Sequence, residues 1–177
     1  MSSINEQLKS LFMSIESIHP NTVFMQIREN ESVFCFKKND VTFVTIPVGF
    51  ELISSRYFKH TPPSYDDIEY AINYIEDEIE KVVPLIPMNG HHLVTNTSFI
   101  REIAHLCCIE YKHEMSLPRN DLEYLFGQYA EIAMGRPPRL HETDISQRFY
   151  AQLLIIREFL HHLKYEQITV IDQVTLN

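Results

Sequence analysis

The chain has 177 residues, 45% of them hydrophobic and 22% charged, enough for one domain that buries its own core without disulfide or metal staples. Its 24 acids against 15 bases give a net charge of −9, and no Lys or Arg block interrupts that field, so nucleic-acid binding is not expected. The four glycines, Gly49, Gly90, Gly127 and Gly135, lie too far apart to write a GxGxxG turn, a P-loop or a GxSxG elbow.

Cys35, Cys107 and Cys108 form an odd set with one adjacent pair, which is not a disulfide framework. Reduced thiols in a cytoplasmic protein are expected. Between Met1 and Pro20 the apolar pattern is broken by Glu6, Lys9 and Glu16, unlike a signal peptide, and no apolar run reaches membrane-spanning length.

In chain order, Ile4, Leu8, Leu11, Phe12, Ile15 and Ile18 predict an amphipathic helix over 3–18, stopped near Pro20. Three β-rich stretches, Thr22–Arg28, Ser32–Lys38 and Val41–Pro47, are separated by very short connections, predicting an antiparallel meander over 22–47. Val23, Met25 and Ile27 alternate with Phe24, and Phe34 and Phe36 alternate with Val33 and Cys35. Both sheet faces are therefore apolar, and both need cover from helices or a partner.

From residue 64 the period becomes helical. Ser64 with Asp67 resembles a capping box ahead of an apolar face at Ile68, Ala71, Ile72, Ile75, Ile79, Val82 and Val83. Three more helices are predicted, from about Thr97 to Glu114, from Asn120 to Met134 with Gly135 as its stop, and from a Thr143 cap to about Lys164. Gln167–Thr175 is a candidate last strand. The expected fold is a single α+β domain over 1–177: an N-terminal helix and β-meander packed against a four-helix half over 64–164. Gly127, inside a helix, is expected to mark a close helix crossing.

Candidate chemistry is sparse. Glu-x-x-His occurs at Glu102–His105, Glu110–His113 and Glu158–His161, a spacing that lets two side chains on a helix reach one ion. At 100° per residue, however, Glu158 and His161 face away from the apolar stripe of their helix, as do Glu102 and His105, which predicts solvated faces. Neither a metal nor a cofactor is expected; Glu110, the one inward-pointing acid, and His113 are the remaining metal-ligand candidates. Cys107, on an apolar helical face, is expected to be an inert thiol of raised pKa.

In the loop Gly135–His141, Arg136 and Arg139 flank two prolines just before a helix. With His141, and with Arg101 and Arg119 near other helix starts, they form a candidate anion site. Tyr65, Tyr70 and Tyr74 share a strongly acidic helix with Asp77, a candidate surface for a protein partner or for self-association. The leading expectation is a non-catalytic accessory, adaptor or inhibitor-like protein acting through protein contacts, a homodimer among them. The alternative is a small enzyme or binder for a phosphate or carboxylate ligand, using the Arg136/Arg139 loop with His141, or His91 and His92, as acid–base groups.

Overall fold

The computed structural model describes residues 4–172. It opens with α1 (Ile4–Ile18) and a meander of β1 (Thr22–Ile27), β2 (Ser32–Lys37) and β3 (Val41–Ile46). There follow α2 (Phe50–Tyr57), α3 (Tyr65–Glu80), β4 (His92–Thr95), α4 (Ser98–Leu106), β5 (Glu114–Pro118), α5 (Arg119–Ala133), α6 (Gln147–His162) and β6 (Gln167–Ile171). The fold is α+β around one mixed sheet of strand order β3-β2-β1-β4-β6-β5. The expected last strand is present as β6, and residues 173–175 of that stretch, like residue 3 of the first helix, lie outside the described residues.

The two apolar sheet faces are covered by different helices. Leu8, Phe12 and Ile15 of α1 pack on Phe24, Val33, Cys35 and Val94. Val23, Met25, Ile27, Phe34 and Phe36 face the larger core, which α2–α6 complete. The period-2 alternation thus splits one sheet between two cores. The Ser64–Asp67 capping box forms in both directions, and Asp67 also accepts the backbone N–H groups of Lys59 and His60. Burial alone would raise the Asp67 carboxyl, but hydrogen bonds from His60 and from those backbone groups hold it below its ordinary value.

Several expectations are corrected. The sequence spacing predicts neither β4, β5 nor α2, and it predicts one continuous helix over 97–114. In fact α4 ends at Leu106, Cys108 turns left-handed at φ 64, and the chain returns as β5 antiparallel to β6. Edge pairing offered a full ladder of hydrogen bonds that outweighed continued helix. Glu110 and His113 therefore sit on an exposed loop, not a helix: Glu110 ion-pairs with Lys112, and His113 meets Asp172 at 2.7 Å. They share no metal-ligand cluster among the described residues.

Glu158 is also corrected. It is not solvated but 1% exposed, because α6 is packed by α2, α3, α4 and α5 and is buried around most of its circumference. A single apolar stripe is a poor guide for a helix enclosed on several sides.

Of the glycines, Gly135 follows the end of α5 at φ 106 as expected, but Gly127 marks no close crossing: a Cβ there would meet nothing within 4 Å. The close approach is at Gly49, where a Cβ would lie 2.4 Å from the Glu29 carbonyl oxygen and 2.5 Å from the Asn30 backbone. Gly49→Ala is expected to destabilise the protein by about 3 kcal/mol, since backbone must move to admit the methyl. Gly127→Ala is expected to stabilise it by up to about 1 kcal/mol. Urea denaturation of both variants checks the contrast.

Candidate functional site

β4 runs parallel to β1, with Val23 opposite Leu93 and Met25 opposite Thr95, so the carboxyl ends of two central strands finish side by side. In open sheets the space beyond such ends is where ligands bind. Here it is a cleft of about 380 Å³. The β1–β2 turn supplies Arg28 and Glu29, the β4–α4 connection supplies Asn96, Thr97 and Ser98, and the first turns of α6 supply Arg148 and Gln152.

Short local interactions fix each part. Thr97 is buried, and its hydroxyl oxygen accepts the Ile27 N–H at 3.2 Å and the Thr95 hydroxyl at 3.0 Å, locking the β4–α4 loop to the end of β1. Gln26 donates to Asn96 at 3.0 Å, and Arg28 donates to Gln26 and to Glu31 at 3.0 and 3.2 Å. The start of α2 grips the same turn: Phe50 N–H donates to the Arg28 carbonyl, and Glu51 and Leu52 N–H groups donate to that of Glu29. Passing between these strands of backbone requires the bare α-carbon of Gly49.

Thr97, the N-cap of α4, spends its side chain on β1 and makes no capping bond to the helix. The first-turn N–H groups of Ser98 and Phe99 thus stand at the cleft with the positive end of the helix dipole behind them. Arg148 lies 4.7 Å over the Phe50 ring, and Phe50 packs edge-on against Phe99. No carboxylate pairs with Arg148 among the described residues. Two guanidinium groups, a helix N-terminus, amides and hydroxyls line the cleft with one acid, Glu29, and a second acid, Glu31, pairs with Arg28 at 3.2 Å. Groups of these kinds are ones that can hold an anion.

The residues predicted from sequence lie elsewhere. Arg136 is bound to Glu142 at 2.7 and 3.0 Å, to Glu131 at 2.9 Å and to the Gln128 carbonyl, so its guanidinium closes the α5–α6 loop. Arg101 is held by Asp172 and the Lys112 carbonyl at the β5 edge. Arg119 begins α5, with its N–H donating to the Glu166 carbonyl. Arg139 and His141 line a separate, more apolar cavity of about 520 Å³ with His105, Cys107 and Cys108. The Cys107 thiol there is pushed up to about 12 by burial. His92 opens β4 as a strand residue, while His91 precedes it in the turn.

On α3, Tyr65 and Tyr70 are exposed, as is Asp77. Tyr74 is tied down, donating to the Pro47 carbonyl at 2.8 Å and packing against Tyr57.

The cleft residues Gln26, Arg28, Asn96, Thr97, Ser98 and Arg148 were missed from sequence. A signal existed: Leu93-Val94-Thr95 followed by Thr97-Ser98 before an apolar helical face is a strand running into a helix start. Its shortness hid it.

No protein-family model and no curated protein matches the sequence. Solved structures do match in fold. A Ppx/GppA family member from Aquifex aeolicus is similar over 85% of this chain and 52% of its own, with TM-score 0.68 and 19% identity. Another Aquifex aeolicus structure, described as a Ppx/GppA phosphatase, gives 0.68 at 18% identity, covering 85% of this chain and 53% of that one. An exopolyphosphatase from Cytophaga hutchinsonii gives 0.66 at 15% identity, over 93% of this chain and 58% of its own. The chain thus spans about half the length of the solved chains it matches. These likenesses correct the leading expectation of a non-catalytic accessory protein, because the chains sharing this fold are described as phosphatases and exopolyphosphatases. The ligand-centred alternative fits them better. Among the described residues, no helix is long and apolar enough to cross a membrane.

The α5–α6 loop yields a pH test. Hydrogen bonding from Arg136, opposed by burial and helped by the Arg139 N–H, lowers the Glu142 carboxyl from 4.5 to about 2. A carboxyl whose folded pKa is depressed adds stability that is full above its unfolded value and is lost as pH falls toward the folded one. Glu142→Gln is therefore expected to lower Tm at pH 7 and to flatten the loss of stability between pH 4.5 and about 2. Calorimetry across that range checks it; parallel profiles for both proteins would refute it.

Proposed function

We propose that this chain binds a phosphate-bearing anion, of the phosphate or short polyphosphate class, in the cleft beyond β1 and β4. The observation that carries the reading is the convergence of Arg28, Arg148 and the uncapped start of α4 at the carboxyl ends of parallel strands. The shared fold with structures described as phosphatases and exopolyphosphatases supports it.

Each part has a role. Arg28 is braced by Gln26 and Glu31, so its guanidinium enters the cleft with little freedom left to lose. Arg148 rests on Phe50 and offers a planar donor fork to a terminal phosphate. The Ser98 and Phe99 N–H groups take a further phosphate oxygen. Glu29, exposed at the rim, is the one carboxylate in the cleft lining and is assigned as the base for an attacking water if hydrolysis occurs.

A second place for an anion is the cavity lined by Arg139 and His141, where Gln128 and His105 add polar edges to an apolar pocket. Arg139 reaches Glu142 only at 4.0 Å and is half exposed, so its charge is less committed than that of Arg136.

Calorimetric titration with tripolyphosphate separates the two. Arg148→Ala and Arg28→Ala are each expected to weaken binding about tenfold or more, the loss of a charge-assisted hydrogen bond, while Arg139→Ala leaves it unchanged. The reverse pattern moves the site to the Arg139 cavity. No binding by the wild type in low salt rejects both. Where phosphate release from polyphosphate is measurable, Glu29→Gln is expected to abolish release and retain binding.

A further inference from the structure

Far from the cleft, α3 and α6 bring three potential ligands together. Glu158 follows Arg148 by ten positions along α6, a separation of about 15 Å. Its Oε1 accepts from Arg157, whereas its Oε2 is buried with no hydrogen-bond partner. His162, one turn further on α6, holds Nε2 3.2 Å from that oxygen and 3.1 Å from Glu76 Oε1 on α3. The three donor atoms all lie within 4.8 Å of one another.

His162 Nε2 carries at most one proton, which cannot serve Glu76 Oε1 and Glu158 Oε2 fully at once. The Glu158 oxygen beside it stays unsatisfied, which in a buried carboxylate is costly. Charge is also crowded: Arg157 divides its guanidinium between Glu158 and Glu123, and the other partners of Glu76, Glu123 and Glu158 are His161 and His162, which are cations only when protonated. A divalent ion seated between Glu76 Oε1, Glu158 Oε2 and a deprotonated His162 Nε2 satisfies all three donors and balances the charge.

We propose that Glu76, Glu158 and His162 form a zinc site that clamps α3 to α6. The imidazole nitrogen selects against the all-oxygen sites of calcium and magnesium, and two carboxylates with one histidine suit tetrahedral zinc with water as a fourth ligand. Arg157, hydrogen-bonded to the far oxygen of Glu158, fixes the orientation of that ligand, as outer-shell partners do. The site joins two helices at the side of the core remote from the cleft, and it is independent of the anion reading.

The full chain, stripped with chelator and freed of it, is dialysed against Zn²⁺ and assayed for bound metal and Tm. One tightly bound zinc per chain and a raised Tm are expected. Glu76→Gln and His162→Gln are expected to weaken that binding about tenfold or more and to remove the Tm rise, while a His91→Gln/His92→Gln double variant keeps both. Both single changes lie at partly exposed positions, and circular dichroism checks that the variants fold. Co²⁺ in place of zinc is expected to give the intense visible bands of a four-coordinate ion in the wild type, lost in His162→Gln. Zinc binding that survives both single substitutions undiminished, or no stoichiometric binding by the wild type, overturns the proposal.

Discussion

The parallel pairing of β1 with β4 is the constraint on which the rest of the structure depends. It joins a local antiparallel meander to a distant strand and sets Val23 against Leu93 and Met25 against Thr95. It also forces both strands to end at the same edge. A parallel pair cannot be closed by a short turn, so β2, β3, α2 and α3 must be crossed before the chain returns. Those crossing elements then supply the cover: α2 and α3 lie over one face, while α1, placed before the sheet begins, covers the other. The same pairing is repeated once by β6 on β4, with α4, β5, α5 and α6 in the connection.

Because the strand ends coincide, backbone and side chains that are remote in sequence become one rigid surface. Thr97 illustrates the trade involved. A threonine at a helix start ordinarily caps its own helix. Here its oxygen serves the Ile27 N–H instead, which stiffens the strand junction and leaves the helix start available to a ligand. Gly49 is the complement, a residue whose missing side chain lets the α2 start draw the Glu29 carbonyl into its first turn. Rigid scaffold and accessible donors arise from the same few contacts, which is the arrangement anion recognition needs.

α6 links the two ends of the molecule. Its first turns face the cleft through Arg148 and Gln152, its middle is enclosed by other helices, and its last turn carries His162 beside Glu158. Polar groups on so enclosed a helix are tolerated only with partners, and most have them: the Tyr150 hydroxyl donates to the Tyr129 carbonyl, and Arg157 meets Glu123 and stacks on Phe126. Glu158 Oε2 and Arg136 Nε are the buried polar atoms left without a hydrogen-bond partner among the described residues, and Arg136 Nε still stands 2.9 Å from Glu131.

The sequence by itself determined the parts that local physics controls. Alternation in β1 and β2 assigned each residue to its sheet face, helical spacing located α1, α3 and α5, and Ser64 with Asp67 and Gly135 marked helix ends, because these signals depend only on neighbours a few positions away. Tertiary structure decided the rest. β4 has four residues and β5 five, and each is held as a strand by the hydrogen bonds that β1 and β6 offer it. Glu158 is buried because four other helices surround α6, a fact no helical wheel contains. The arginines of the Gly135–His141 loop form a local cluster in sequence, yet Arg136 is consumed by Glu142. The cleft is built instead from residues that look ordinary in sequence, since it is made by long-range strand pairing, and that pairing leaves no mark on any single stretch of chain.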